Sequence, residues 1–419
     1  MIQQNQQKKP DNIKTVFEHE KLLFKPEDKL YQALQAFHGE NGVPFFSLIN
    51  KGVKFNSYVG VIQVGKTLIE VLPKTDNSGA KKDDWRNILI AMIKQVGMFN
   101  VKTPSHANLK LKSNSILDLY FDLFLNEVEQ LLHRGLIRKY RRICENQKAL
   151  NGALKFNKHI SENMIHKERF YVSHSTYDRH HTLHQIIFKT IKLIKALNTS
   201  RFLDSKIGSL LLNFPEMKDI SVSEGLFNRI FHNRKSEPYR QAIEISRLLL
   251  LNYHPDVSKG YNNVLALMFD MNTLFEKYIA NMIRRAAKGE YCVKTQSSKH
   301  FWRSRSTSVY KVIRPDIVIT KDNEIWILDT KWKIPFDNRP SDDDLKQMYA
   351  YSLQFGAKSS YLLYPEYPNS QRHRGYFQEP KNSNNPHEEI QCSTFPIPVL
   401  CGNSLNAHIG GEILSALKN

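Results

Sequence analysis

Four cysteines in 419 residues, Cys144, Cys292, Cys392 and Cys401, are too few and too scattered to organise a fold. No two form a C-x-x-C pair, which speaks against a zinc ribbon, and a disulfide framework needs denser spacing. Long apolar runs are missing too. No stretch of about 18 apolar residues occurs, so no helix is expected to span a bilayer. The N-terminal Met1-Ile2-Gln3-Gln4-Asn5 is polar and lacks the apolar core of a signal peptide. Reduced thiols and no leader read as a cytoplasmic protein. Acidic charge is in short supply as well: 41 Asp and Glu face 60 Lys and Arg, a formal net charge of +19. An excess of that size points to a polyanionic partner, nucleic acid before anionic membrane. No internal repeat is present.

The length allows two or three domains. The most informative stretch is Ile313-Arg314-Pro315-Asp316-Ile317-Val318-Ile319, followed by Glu324-Ile325-Trp326-Ile327-Leu328-Asp329-Thr330-Lys331-Trp332-Lys333. Both segments are rich in β-branched and aromatic residues, and the polar Lys321-Asp322-Asn323 separates them, so they read as a β-hairpin. Strand alternation puts Ile325, Ile327, Asp329 and Lys331 on one face. Asp316 opens the partner strand behind a proline. The hairpin thus brings together Asp316, Asp329 and Lys331. Two carboxylates at the mouth of an apolar sheet repel each other unless a cation sits between them. Mg²⁺ suits that place, because it takes oxygen ligands from one or two carboxylates and keeps several waters; Mn²⁺ is the alternative ion. A lysine alongside can act on the attacking water or stabilise charge on a phosphate. The pattern Pro315-Asp316 then Asp329-Thr330-Lys331 resembles the PD-(D/E)xK signature of metal-dependent nucleases. The competing reading is an edge hairpin with solvated charges.

Two helices flank this hairpin. Residues 270–283 carry an apolar stripe at Leu274, Phe275, Tyr278, Ile279, Met282 and Ile283, with Gly289 as a stop. Glu276 lies at the border of that stripe, where it is expected to supply a third acid unless it is simply solvated beside Lys277. Downstream, Ser341-Asp342-Asp343-Asp344 reads as a helix N-terminus with a capping-box pattern. That helix runs to Gly356 and places Gln347 and Tyr351 on one face, four residues apart. The pair resembles the QxxxY element of RecB-like nucleases; the alternative is plain helix surface.

Residues up to about 77 are expected to be β-rich. Within them Gly60-Val61-Ile62-Gln63-Val64-Gly65-Lys66-Thr67 fits the pattern G-x-x-x-x-G-K-[ST] of a phosphate-binding loop. Its spacer residues suit a strand, and another strand follows Thr67 in place of a helix. Gly65-Lys66 therefore reads as a hairpin turn, and no cofactor-binding residues are assigned. Ser78–Lys82 reads as a linker, Trp85–Met98 and Ile116–Leu132 as helices, and Val101–Ser115 as a loop. Arg134-Gly135-Leu136-Ile137-Arg138-Lys139-Tyr140-Arg141-Arg142 is a basic cluster, either a phosphate or partner contact or a solvated basic helix end. His159, His166, His174, His180, His181 and His184 lack the spacings of zinc ligands and read as surface or phosphate-facing. His181–Leu197 and Gln241–Leu251 make the middle largely helical. Ser360–Pro365 and Phe395–Leu400 read as strands, Asn369–His387 as a loop, and Ile409–Lys418 as a helix.

The order of these segments resembles McrC, the nuclease subunit of McrBC-type modification-dependent restriction systems. The resemblance rests on Gly60 to Gly65 with Ile69-Glu70-Val71-Leu72-Pro73-Lys74, on Gly135 to Tyr140, on Gly152-Ala153-Leu154-Lys155-Phe156 with His166-Lys167-Glu168-Arg169-Phe170, on Met271 to Glu276, and on the Pro-Asp/Asp-x-Lys core. It runs from about residue 40 to 365. It implies an α+β or α/β multidomain chain: a β-rich N-terminal partner-docking domain over 1–165, a helical region over 166–255, and a restriction-endonuclease-like core over 256–419 with a mixed sheet flanked by helices. It implies Glu276, Asp316 and Asp329 as Mg²⁺ ligands, Lys331 as the catalytic lysine, and Gln347 and Tyr351 as accessory residues. It further implies a hexameric AAA+ GTPase partner, McrB-like, that recognises and translocates double-stranded, modified DNA, with the N-terminal domain docking into that ring and stimulating it. Two other functions stay open: a non-cleaving adaptor that only activates the ring, and a stand-alone RecB-like repair nuclease.

Overall fold

A computed structural model describes residues 13–25, 27–74, 82–96, 115–254, 263–306, 308–378, 390–402 and 404–417. Residues 78–81 of the expected linker, 101–114 of the expected loop that follows, and 379–387 of the later loop lie outside them. The chain divides into two compact units, one of residues 1–102 with 268–419 and one of residues 103–267. These boundaries differ from the functional ranges 1–165, 166–255 and 256–419. Among the described residues no helix is long and apolar enough to cross a membrane.

The first unit opens with β1 (Ile13–Phe17), β2 (Tyr58–Val64) and β3 (Thr67–Leu72). β2 and β3 are antiparallel with Val64 opposite Thr67, and Gly65 turns the chain at a φ of +54°. The expected hairpin turn at Gly65-Lys66 is therefore present, and the chain beyond Thr67 is strand, as expected. β1 pairs with β3 in parallel. The helix α1 (Lys82–Val96) follows, and its Arg86 reaches the buried Glu70 of β3 at 2.6 Å. Pairing makes that burial tolerable, since a lone buried carboxylate costs several kcal/mol or takes up a proton.

The second unit contains α2 (Ile116–Arg134), β4 (Lys139–Gln147), β5 (Ala153–Leu154), α3 (Phe156–Asn163), β6 (Phe170–Asp178), α4 (Thr182–Leu197) and α5 (Arg240–Leu251). Ser115 caps α2 and His181 caps α4. The helices expected over 181–197 and 241–251 are present; ahead of them β4 and β5 both pair with β6, strands that were not expected. β4 is exposed along nearly all its length, so its residues show no apolar alternation to announce a strand. The basic cluster also differs from the solvated helix end considered for it. Only Arg134 belongs to the helix; Gly135 ends it at a φ of +85°, and Lys139 to Arg142 run along β4. His184 departs from the surface assignment. It is fully buried, with Nδ1 2.6 Å from the Arg179 carbonyl and Nε2 3.0 Å from Tyr239 Oη. Burial pushes its pKa down to about 4, so it is a neutral structural histidine.

The chain then returns to the first unit through α6 (Met271–Ala287), β7 (Cys292–Thr295), β8 (Lys299–Arg303), β9 (Tyr310–Ile313), β10 (Ile317–Lys321), β11 (Glu324–Thr330), α7 (Asp342–Phe355), β12 (Ser359–Pro365), β13 (His373–Tyr376), β14 (Gln391–Ile397) and α8 (Ile409–Ala416). Six of the strands form one mixed sheet in the order β7-β10-β11-β12-β14-β13. β10 and β11 are antiparallel across a two-residue turn, and Asp322 and Asn323 both take positive φ there. β12 lies parallel to both β11 and β14. The parallel crossover from β11 to β12 is made by α7, whose Met348 and Tyr351 pack on Ile327, Leu362 and Tyr364. α8 packs closely on α6, where a Cβ at Gly410 would stand 2.1 Å from the Met282 carbonyl oxygen. Only glycine permits that approach.

Candidate active site

The site forms where β10 begins and β11 ends. Ile317 pairs with Leu328, so Asp316 and Asp329 stand at the same end of the hairpin, one step further on. Asp316 Oδ2 accepts two hydrogen bonds from Thr330, one from its N–H and one from its hydroxyl, each at 2.8 Å. Pro315 is buried, and Asp316 is half-buried. Asp329 is only 2% exposed. Burial, and after it the charge of Asp316, pushes the Asp329 carboxyl up to about 6.

Lys331 supplies the opposing charge. Its Nζ lies 2.7 Å from Asp329 Oδ2. At that distance the ammonium both neutralises the buried carboxylate and makes a charge-assisted contact to it. Burial works against the lysine charge, yet Asp329, with Asp344 and Asp316 behind it, holds the ammonium above the ordinary lysine value. The side chain is fixed from α7. Lys331 Nζ donates to Gln347 Oε1 at 3.0 Å, Gln347 Nε2 donates to Tyr351 Oη at 2.7 Å, and Tyr351 Oη donates to the Arg314 carbonyl at 3.0 Å. This relay runs from the lysine at the end of β11 to the backbone just before Asp316. The helical spacing of Gln347 and Tyr351 makes it, as i and i+4 face the same way.

Glu276 stands at the margin. Gln296 Nε2 donates to its Oε1 at 2.6 Å, and burial followed by the charge of Asp316 raises its carboxyl. So it senses Asp316 without closing on it. Among the described residues no three Asp, Glu, His or Cys side chains gather closely enough to hold a metal ion. Asp316 and Asp329 do offer what a hard divalent cation needs. They are carboxylates close enough to repel each other, and burial of Asp329 makes its charge costly without a cation beside it. A two-carboxylate site completed by water fits this pair.

Several neighbours were not singled out as site residues from the sequence. Asp344 is 6% exposed; its Oδ2 accepts from Lys333 Nζ at 2.6 Å and Ser341 Oγ at 2.7 Å, and its Oδ1 lies 3.7 Å from Lys331. The capping-box pattern located it but hid its second role as a counter-charge. Burial opposes its ionisation, but Lys333 and Ser341 prevail and hold its pKa below the ordinary value. Trp332, next to the lysine, donates its Nε1–H to Glu18 Oε1 at 2.7 Å and sets its ring 5.0 Å from Phe275. Glu18 also accepts from the Lys74 N–H at 2.8 Å. Burial raises its pKa to about 7. A partner 314 residues away in the chain leaves no local sequence signal.

Residues 53–365 match the family model described as McrBC 5-methylcytosine restriction system component. No curated protein matches the chain. Among solved structures, a chain of the refined half-complex from the tetradecameric assembly of Thermococcus gammatolerans McrB AAA+ hexamers with bound McrC is similar at a TM-score of 0.68 and 17% identity, over 97% of this chain and 100% of that one. A chain of the cryo-EM structure of the Thermococcus gammatolerans McrBC complex gives 0.49 and 19%, over 65% of this chain and 88% of that one. At 17% identity the first likeness is one of fold, and it agrees with the mixed α/β architecture described above.

Proposed function

Because the chain belongs to the McrBC family of 5-methylcytosine restriction system components, we propose that it is the subunit that cuts DNA, a Mg²⁺-dependent endonuclease of the PD-(D/E)xK type working with a hexameric AAA+ GTPase. The observation that carries this reading is the joint position of Asp316, Asp329 and Lys331 at one strand end, tied to Gln347 and Tyr351. Asp316 and Asp329 would hold Mg²⁺ or Mn²⁺ with water completing the shell, while Glu276, held by Gln296 at the margin, would act from outside that pair. Bound there, the ion supplies charge neutralisation at a scissile phosphate and lowers the pKa of a coordinated water. Thr330 orients Asp316 through its two hydrogen bonds. Lys331 sits where it can meet a phosphate oxygen or the attacking water, and Gln347 keeps its ammonium on that line.

The partner is proposed to be an AAA+ hexamer, as in the Thermococcus assembly named above, and the substrate to be modified double-stranded DNA. Docking is assigned to residues 1–165, with 166–255 leading into a nuclease region over 256–419. What supports docking is α3 and the turn after it. Phe156, Ile160, Met164 and Ile165 are 68%, 59%, 71% and 88% exposed, a spacing of four that lines an apolar stripe on a helix facing water. The test is plasmid cleavage by the full chain with Mg²⁺, with and without the AAA+ partner and GTP. Cleavage that requires Mg²⁺ and rises with the partner supports the reading. Stimulated GTP turnover with intact plasmid would identify an adaptor in place of a nuclease.

A further inference from the structure

Between β7 and β10 the chain leaves the sheet and forms a separate two-stranded ribbon, β8 with β9. Both of its feet stand in the site. At the entry, Gln296 donates its side-chain N–H to Glu276 at 2.6 Å and its backbone N–H to the Asp316 carbonyl at 3.0 Å. At the exit, the Arg314 carbonyl accepts from Tyr351, two residues before Asp316. One edge is braced on the end of α7, where Lys299 Nζ donates to the Gln354 carbonyl at 2.9 Å and Gln354 Nε2 donates to the His300 carbonyl at 2.8 Å.

The rest of the ribbon faces water, and its composition is unusual for a solvated edge. Phe301, Trp302 and Tyr310 are 56%, 53% and 55% exposed. From Gln296 to Arg314 the sequence carries Lys299, Arg303, Arg305, Lys311 and Arg314 and no acidic residue. A register shift between His300 and Trp302 breaks the strand alternation beside Phe301, as a bulge does when it re-aims a side chain. An isolated hairpin gains little stability from two strands, so large rings held in water here are not explained by folding. Cations without acids are complementary to phosphates, and apolar rings can pack on sugars and on thymine methyl groups at the groove edge of a duplex. A two-stranded ribbon also fits the major groove of duplex DNA.

We propose that the β8–β9 ribbon is the element that grips duplex DNA and sets the scissile phosphate against Asp316 and Asp329. The inference rests on the nuclease reading for its purpose, although duplex binding by the ribbon can be measured without any cutting. The experiment is fluorescence anisotropy of a labelled duplex with the full chain in EDTA, over a salt series. Phe301→Ala with Trp302→Ala should weaken binding about tenfold. Arg303→Ala with Lys311→Ala should weaken it and lower the slope of log affinity on log salt by about two. Both double variants alter exposed side chains, and unchanged thermal unfolding shows that the fold is kept. Stimulation of the partner's GTP turnover should stay at the wild-type level. Wild-type duplex affinity in both variants overturns the inference, and so does lost partner association with duplex affinity retained, which would make the ribbon a protein contact. A wild-type chain that binds duplex through these residues yet never cuts sinks the nuclease reading and leaves the ribbon standing. Undiminished cutting and affinity in both variants does the reverse.

Discussion

The two compact units use polar groups in opposite ways. The unit of residues 1–102 and 268–419 buries charge on purpose: Asp329 and Asp344 are 2% and 6% exposed, and each is held by lysine. The unit of residues 103–267 displays much of its charge along the exposed β4, and buries a neutral His184. Burial is the agent in both cases. It lifts Asp329 to about 6 and drops His184 to about 4, each toward its uncharged form. In the first unit a lysine cation is recruited against that push; in the second the only counterweight is the hydrogen bond to the Arg179 carbonyl, and burial prevails. A carboxylate kept costly and ready for a cation suits catalysis. A neutral histidine bonded at both nitrogens suits a rigid support for a displayed surface.

Four changes test that contrast, in descending order of effect. Lys331→Ala removes the counter-charge of Asp329 and should lower plasmid cleavage by roughly 10²–10³-fold, while stimulation of partner GTP turnover is kept. Loss of both together would contradict the separation of cutting from partner stimulation.

Acidification should act on the second unit. The folded pKa of His184 lies below its unfolded value, so its contribution is fully present above pH 6.5 and is lost as pH falls from 6.5 towards 4. A shift of that size is worth roughly 3 kcal/mol. All four tryptophans, Trp85, Trp302, Trp326 and Trp332, lie in the first unit, so their fluorescence reports on that unit alone. Hydrogen exchange in residues 182–197 should rise with acid, and His184→Phe should flatten that dependence. A pH-independent exchange rate in the wild type would refute the buried neutral histidine.

Tyr351→Phe deletes the hydroxyl that joins Gln347 to the Arg314 carbonyl. Cleavage should fall about tenfold and stability by about 1 kcal/mol, read by nicking rate and denaturant midpoint. Ile160→Ser with Met164→Ser should leave stability within about 0.5 kcal/mol, since both residues are exposed. Partner stimulation should fall several-fold while metal-dependent cutting chemistry is untouched. Unchanged stimulation would move the docking surface off α3.

Local pattern made the first unit the more legible. The β10–β11 hairpin announced itself by β-branched residues around a polar turn, and α7 by Ser341 at its start and Gly356 at its end. The pairing of Gln347 with Tyr351 followed from helical spacing. Long-range contacts left no such trace: Trp332 meets Glu18, and Gln296 meets Glu276, through tertiary packing alone. The helices expected over 181–197 and 241–251 are present, but β4 went unread because a charged, exposed strand lacks apolar alternation. His184 shows the limit for single residues, since sequence reveals a histidine but not how deeply it is buried.

The most direct test of the account is one measurement on Asp329→Ala: cleavage of modified plasmid with Mg²⁺, GTP and the AAA+ partner, with GTP turnover followed in the same reaction. The account predicts no detectable cleavage and wild-type stimulation of GTP turnover, because the substitution removes the buried oxygen pair of the proposed metal site and leaves the second unit as it was. Cleavage at the wild-type rate by this variant would contradict it and place the chemistry elsewhere.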